Sequence, residues 1–145
     1  MKISTRAQYG LRAMIYLAKN NGTSLKEIST KESIPFDYLE KILSRLEKTG
    51  LLKAKRGATG GYFLARAPQR IKIGEIVRAA EGKMILVKCV EGKHLCLRAK
   101  ECLARNIWQK TQAALDSALD SVTLSELIKN KHPKHEKKES RPLKK

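Results

Sequence analysis

Between Pro35 and Arg66 the chain changes its hydrophobic period, and that change leaves few folds open. Leu39, Ile42, Leu43 and Leu46 recur at i, i+3, i+4 and i+7, the spacing of one buried helical face. Thr49-Gly50 stops the helix. Leu51-Leu52-Lys53-Ala54-Lys55-Arg56 then faces Tyr62-Phe63-Leu64-Ala65-Arg66 across a glycine-rich turn, which predicts a two-stranded hairpin.

The segment before Pro35 supplies two more helices. Leu11, Met14, Ile15 and Ala18 mark a first helix, closed by Asn20-Asn21-Gly22, whose residues tolerate a left-handed turn. Ser24-Leu25-Lys26-Glu27 reads as a capping box that opens a short second helix carrying Leu25 and Ile28. Pro35 suits the first turn of the third helix, where no amide hydrogen is needed. Three helices followed by a small β wing is the order of a winged helix-turn-helix. In that architecture the third helix enters the major groove and the wing meets the backbone or minor groove.

The charge agrees with a polyanionic partner. The 145 residues carry a formal +17, of which the tail from Lys131 onward, with seven Lys/Arg against two Glu, holds five; the body keeps +12. Candidate contacts to double-stranded DNA are Ser24 and Lys26 at the second helix, whose N-terminus can cradle a phosphate. On the outward face of the third helix they are Asp37, Tyr38, Glu40, Lys41, Ser44 and Arg45. On the wing they are Lys55, Arg56, Thr59, Gly60 and Gly61. Glu40 is compatible with DNA because a carboxylate accepts from the cytosine N4 amino group. Arg56, at the wing base, is the leading candidate for groove contact.

All three cysteines, Cys89, Cys96 and Cys102, lie downstream within one polar stretch. No apolar run is long enough to span a bilayer and no signal-peptide core opens the chain, so a cytoplasmic, membrane-free protein is expected. Three thiols in a reducing compartment point to metal or redox chemistry rather than a disulfide framework. Thiolates take iron-sulfur clusters, zinc or Cu(I). The spacing Cys-x6-Cys-x5-Cys is too wide for the paired knuckles of structural zinc.

Before the cysteines, Ile73, Ile76, Val77 and Ala80 mark a fourth helix ending near Glu81-Gly82. After them Ala104, Trp108, Thr111, Leu115, Ala118 and Val122 alternate spacings of four and three, a helix-helix seam expected from about Glu101 to Val122. Thr123-Leu124-Ser125-Glu126 is a second capping box, starting a final turn of helix through Ile128. The expected organisation is a DNA-binding region over 1–66, a cluster-binding loop with dimerisation helices over 67–130, and a disordered basic tail over 131–145. The fold class is mainly α with a small β wing, a winged helix-turn-helix plus a long C-terminal dimerisation helix.

These residues resemble the Rrf-two family of bacterial transcription regulators. The resemblance rests on the Met-Lys-Ile-Ser start, Ile34 to Leu43, Leu46 to Leu51, Arg56-Gly57-Ala58-Thr59-Gly60-Gly61-Tyr62, and the Cys-rich loop followed by a Trp-bearing helix; it covers about residues 1 to 130. It implies a homodimer with crossing C-terminal helices that reads a pseudo-palindromic operator, as a repressor in the main. It also implies an iron-sulfur cluster, 2Fe-2S or 4Fe-4S, held by Cys89, Cys96 and Cys102, whose occupancy reports iron or cluster status, redox state or nitric oxide.

The sequence departs from part of that family at the fourth ligand. Some members carry histidine three residues after the last cysteine, where this chain has Arg105, which cannot ligate. Others use an N-terminal-helix side chain from the partner subunit, and Gln8 stands at the comparable place. His94, Glu91 and Glu101 are nearby alternatives, whereas His132 and His135 sit in the tail. The rival within the family is a cluster-free regulator controlled by a protein partner or by thiol oxidation. RNA binding is disfavoured by the scarcity of aromatic residues. No catalytic triad, carboxylate pair or Walker loop suggests an enzyme.

Overall fold

The structure, a computed structural model, describes residues 2–92, 94 and 96–130. The elements run α1 (Thr5–Lys19), α2 (Leu25–Glu32), α3 (Phe36–Lys48), β1 (Leu52–Lys55), β2 (Gly61–Leu64), a 3-10 turn at Pro68–Arg70, α4 (Ile73–Glu81), α5 (Lys88–Glu91), α6 (Ala104–Asp120) and α7 (Leu124–Lys129). The mainly helical architecture with a β wing is therefore as expected. The basic tail, with His132 and His135, lies outside the described residues.

Each helix start has a local cause. Ser4 caps α1 by accepting from the Ala7 amide, and Ser24 caps α2 by accepting from the Glu27 amide. The second half of the expected Ser24 capping box is not made: the Glu27 carboxylate instead accepts from the Tyr16 hydroxyl at 3.0 Å, tying α2 to α1. Pro35 stands at the N-cap of α3, one residue before the first turn that the sequence assigned it. At α7 both halves of the Thr123 and Glu126 box form.

Leu39, Ile42, Leu43 and Leu46 of α3 are all buried, as their spacing requires. They meet Met14 and Leu17 of α1, Ile28 of α2, and Ile76 and Val77 of α4 in one core. Removing any such side chain from water is worth ~1.5–3 kcal/mol. On α1 the closest-packed stripe is Ala7, Gly10, Ala13, Met14 and Leu17, while Leu11, Ile15 and Ala18 flank it half-buried. The small residues decide the face because α4 crosses there: a Cβ on Gly10 would lie 3.1 Å from that of Ala80.

The wing is antiparallel, with Leu52 opposite Leu64 and Lys55 opposite Gly61. A further bridge joins β2 to the start of α2, where Thr23 and Tyr62 exchange backbone hydrogen bonds of 2.9 and 3.2 Å. At the other end Lys72 bridges Thr123, and buried Leu124 packs α7 against α1. The seam helix is shorter than expected. Its first residue is Ala104 rather than Glu101, because 97–101 form turns closed by the Ala99 amide donating to the Cys96 carbonyl.

Candidate nucleic-acid interface and thiol segment

The wing packs directly on α3. Asp37, Glu40 and Lys41 project from α3 into solvent, and Lys55, Arg56 and Thr59 are exposed on the wing. Ser24 and Lys26 are exposed at the start of α2, and the Thr23–Tyr62 bridge fixes that start against β2. Burial, with the negative charge of Glu47 and Glu40, holds the Tyr62 hydroxyl above its ordinary pKa, which records how near the wing lies to α3. Gly61 is required where it stands: φ is 141° and a Cβ would lie 2.8 Å from the Thr23 carbonyl oxygen. Gly60, beside it, is half-buried within the turn.

Three members of the expected reading face are less free than the helical period suggested. Tyr38 is half-buried, its ring edge-on to Tyr9 of α1 with centroids 5.8 Å apart, so the outward placement expected for it is corrected. Ser44 is also half-buried. Arg45 is exposed, yet its Nη1 donates to the Ala80 carbonyl at the end of α4 over 3.4 Å. Glu40 makes no ion pair with Lys41 or Arg45 among the described residues.

The thiols lie on a separate limb of the chain, between α4 and α6. Cys89 is on α5, Cys96 precedes the turns, and Cys102 comes just before α6; all three are free and half-buried. Arg105 ties this segment together. Its amide donates to the Cys102 carbonyl at 3.2 Å and its Nε to the Cys89 carbonyl at 3.1 Å. With the Gln109 amide turned oxygen-inward, both Arg105 Nη atoms donate to it at 3.2 Å. The donor set, three cysteine sulfurs, suits an iron-sulfur cluster. Among the described residues no group of three or more metal-ligating side chains is assembled.

Two polar links join this limb to the reading head. Arg45 reaches α4 from α3, and Arg78 of α4 donates to the Asp120 carboxylate of α6 at 2.6 Å. The outward side of α6 carries Ala104, Ile107, Trp108, Thr111 and Ala118, all exposed, with Trp108 at 41% and Ile107 at 54%. Leu115 and Val122 of the expected seam are half-buried within the chain.

Residues 3–130 match the family Rrf2, described as "Iron-dependent Transcriptional regulator". The chain belongs to the Rrf2 family. It is 41% identical over 130 residues to the HTH-type transcriptional regulator CymR of Bacillus subtilis, covering 88% of this chain and 89% of that protein. The solved structure of CymR (YrzC), the global cysteine regulator of B. subtilis, superposes with a TM-score of 0.76 at 39% identity, over 89% of this chain and 97% of that one. The structure of T. potens IscR gives 0.73 at 35% identity, over 89% and 87%. The protein is thus a DNA-binding transcriptional regulator of the winged-helix type, related to regulators and not to enzymes. No helix among the described residues is long and apolar enough to cross a membrane.

Sequence reasoning missed the roles of Thr23, Arg78 and Asp120. Thr23 had no signal beyond its place before a cap. The Arg78–Asp120 pair spans forty-two positions, a separation at which charge pattern alone selects no partner.

Proposed function

We propose that the protein is a cytoplasmic homodimer that binds pseudo-palindromic operators, in the main as a repressor, and that an iron-sulfur cluster on Cys89, Cys96 and Cys102 sets its affinity. In this reading α3 lies in the major groove with Asp37, Glu40 and Lys41 toward base edges, and Ser44 and Arg45 beside them. Lys55, Arg56, Thr59, Gly60 and Gly61 approach the adjoining groove or backbone. Ser24 and Lys26 meet a phosphate, and Tyr38 buttresses α3 from behind.

The observation that carries the reading is the pair of links through α4. The thiol segment joins α4 to α6, Arg78 ties those helices together, and Arg45 runs from α4 to the reading helix. A change in the 88–102 backbone is therefore transmitted to the spacing of two reading heads. Cys89, Cys96 and Cys102 would hold the cluster, which when bound supplies iron that responds to oxidants and to nitric oxide. A cluster that binds two conformations of the segment with different affinity shifts the equilibrium between them by that difference. Dimerisation through α6 is supported by Ile107 and Trp108, large apolar side chains that its outward side leaves partly in water.

A second reading has an observation of its own. Arg105 holds the Cys89 carbonyl with no metal required, and CymR is among the relatives. Control would then pass through thiol oxidation or a protein partner. Anaerobic purification with absorption spectroscopy and iron and sulfide analysis separates the two. A brown protein with stoichiometric iron and sulfide supports the cluster; colourless protein that also resists reconstitution supports the thiol switch.

A further inference from the structure

A cavity of about 380 Å³ lies between α4, the segment that follows it, and α6. It lies away from the DNA face and borders the thiol segment only through Val90 and Glu91 of α5; none of the three cysteines lines it, and its size falls within the ~300–1,000 Å³ common for small-molecule sites. On a chain of formal charge +17, its wall is unusual in carrying three carboxylates, Glu91, Asp116 and Asp120, against two cations. Asp120 is committed to Arg78 at 2.6 Å. Asp116 has only the Gln112 amide, at 3.2 Å, and neither it nor Glu91 meets a cation among the described residues. The remaining cation is Lys83, also without an ion pair among them.

The wall is built rather than incidental. Gln112 clamps the segment to α6 from both ends of its amide: Oε1 accepts from the Leu86 amide at 3.0 Å and Nε2 donates to the Met84 carbonyl at 2.8 Å. Met84, Ile85 and Val90 give the same cavity an apolar side. A ligand matching these groups carries an ammonium for Asp116 and Glu91, a carboxylate for Lys83, and a compact apolar body. We infer that this cavity is an effector site for an α-amino acid with an apolar side chain.

Its place suggests how binding would be felt. The ligand would sit against the Arg78–Asp120 link that sets α4 on α6, and α4 carries the Arg45 contact from the reading helix. Any difference in ligand affinity between the DNA-competent and incompetent states then appears, reciprocally, as a change in operator affinity. The effector half rests on the DNA-binding reading above; the binding half does not, and neither needs a cluster.

The test is isothermal titration of the full chain with L-leucine and L-methionine, with isopentylamine and 4-methylpentanoate as half-ligands lacking the carboxylate or the ammonium. Saturable binding of the amino acids is expected, weaker binding of the amine, and none of the acid. Asp116→Asn should weaken L-leucine by about tenfold. Glu91→Gln, at an exposed position that leaves the fold intact, should weaken it independently. Failure of both amino acids to bind, equal binding of the acid, or undiminished binding by both variants would overturn the site. Operator affinity measured with and without L-leucine should differ severalfold. Saturable binding with unchanged operator affinity would overturn the effector role, and no operator binding either with or without L-leucine would overturn the DNA-binding reading instead.

Discussion

Arg78 of α4 and Asp120 of α6 meet at 2.6 Å directly above Gly74, and the glycine is what lets them do so. A Cβ at position 74 would collide with the Asp120 carboxylate and lie 2.8 Å from the guanidinium nitrogens. Both partners are about one-third exposed, so the pair itself is worth only ~0.5–1 kcal/mol. Its importance is positional. Every atom that a Cβ there would meet is the tip of a flexible side chain, so Gly74→Ala costs no more than the pair itself, ~0.5–1 kcal/mol, against up to ~1 kcal/mol of helix propensity gained. A urea midpoint close to that of the parent at unchanged slope is expected. A large fall in midpoint would show that the pair cannot move aside.

Arg56 should read sequence from the wing. Arg56→Ala is expected to weaken operator binding by ~1–3 kcal/mol and to relax preference at one operator position. Lys55→Ala should instead flatten the log-log salt slope by about 0.9 on every duplex, as for loss of one phosphate contact. Competition titrations on operator and random duplexes across a salt series distinguish these. An equal small loss on both duplexes for Arg56→Ala reassigns it to a phosphate.

The α6 seam should be visible in solution. Trp108→Lys would place a charge where the account has a second chain, leaving it buried and unpaired on assembly. Because Trp108 is 41% exposed in the single chain, the fold itself should survive. Sedimentation is expected to give a monomer with native circular dichroism. A dimer of unchanged affinity would move the interface elsewhere.

Two carboxylates predict an acid limb in stability. Burial pushes Glu75 upward, but the Lys72 amide and the Arg66 guanidinium outweigh it and hold the carboxyl below its ordinary value of 4.5. Hydrogen bonds from the Thr123 amide and hydroxyl do the same for Glu126. A carboxyl depressed in the folded state contributes stability that is complete above its unfolded pKa and disappears as pH falls through its folded pKa. Thermal midpoints should therefore decline as pH drops from about 5 toward 3, and Glu75→Gln should shrink that decline. A variant with the full decline would remove Glu75 from the acid limb.

Much of this molecule was legible where the relevant forces are local. The period of Leu39, Ile42, Leu43 and Leu46 identified the buried face of α3, and the turn at Gly57 to Gly61 identified the wing. Ser24 and Glu27 looked like a complete capping box, but Tyr16, eleven residues away, competes for the same carboxylate. The face of α1 was read from its large apolar residues, whereas close approach by α4 selects Ala7, Gly10 and Ala13. Tyr38 is withdrawn by Tyr9. At the thiols the sequence supplied the donor types and their spacing; the Arg105 bridge across Cys89 and Cys102 depends on chain geometry that spacing does not encode.

The central claim is that the state of the thiol segment governs operator affinity. Anaerobic fluorescence anisotropy on one operator, with reconstituted and apo protein side by side and Cys89→Ala, Cys96→Ala and Cys102→Ala as controls, tests it most directly. The account predicts affinities that differ by about 5- to 150-fold between loaded and apo forms, the range of a ~1–3 kcal/mol coupling, and variants that no longer load and bind DNA as the apo form does. Full cluster loading with identical affinity in both forms would contradict it.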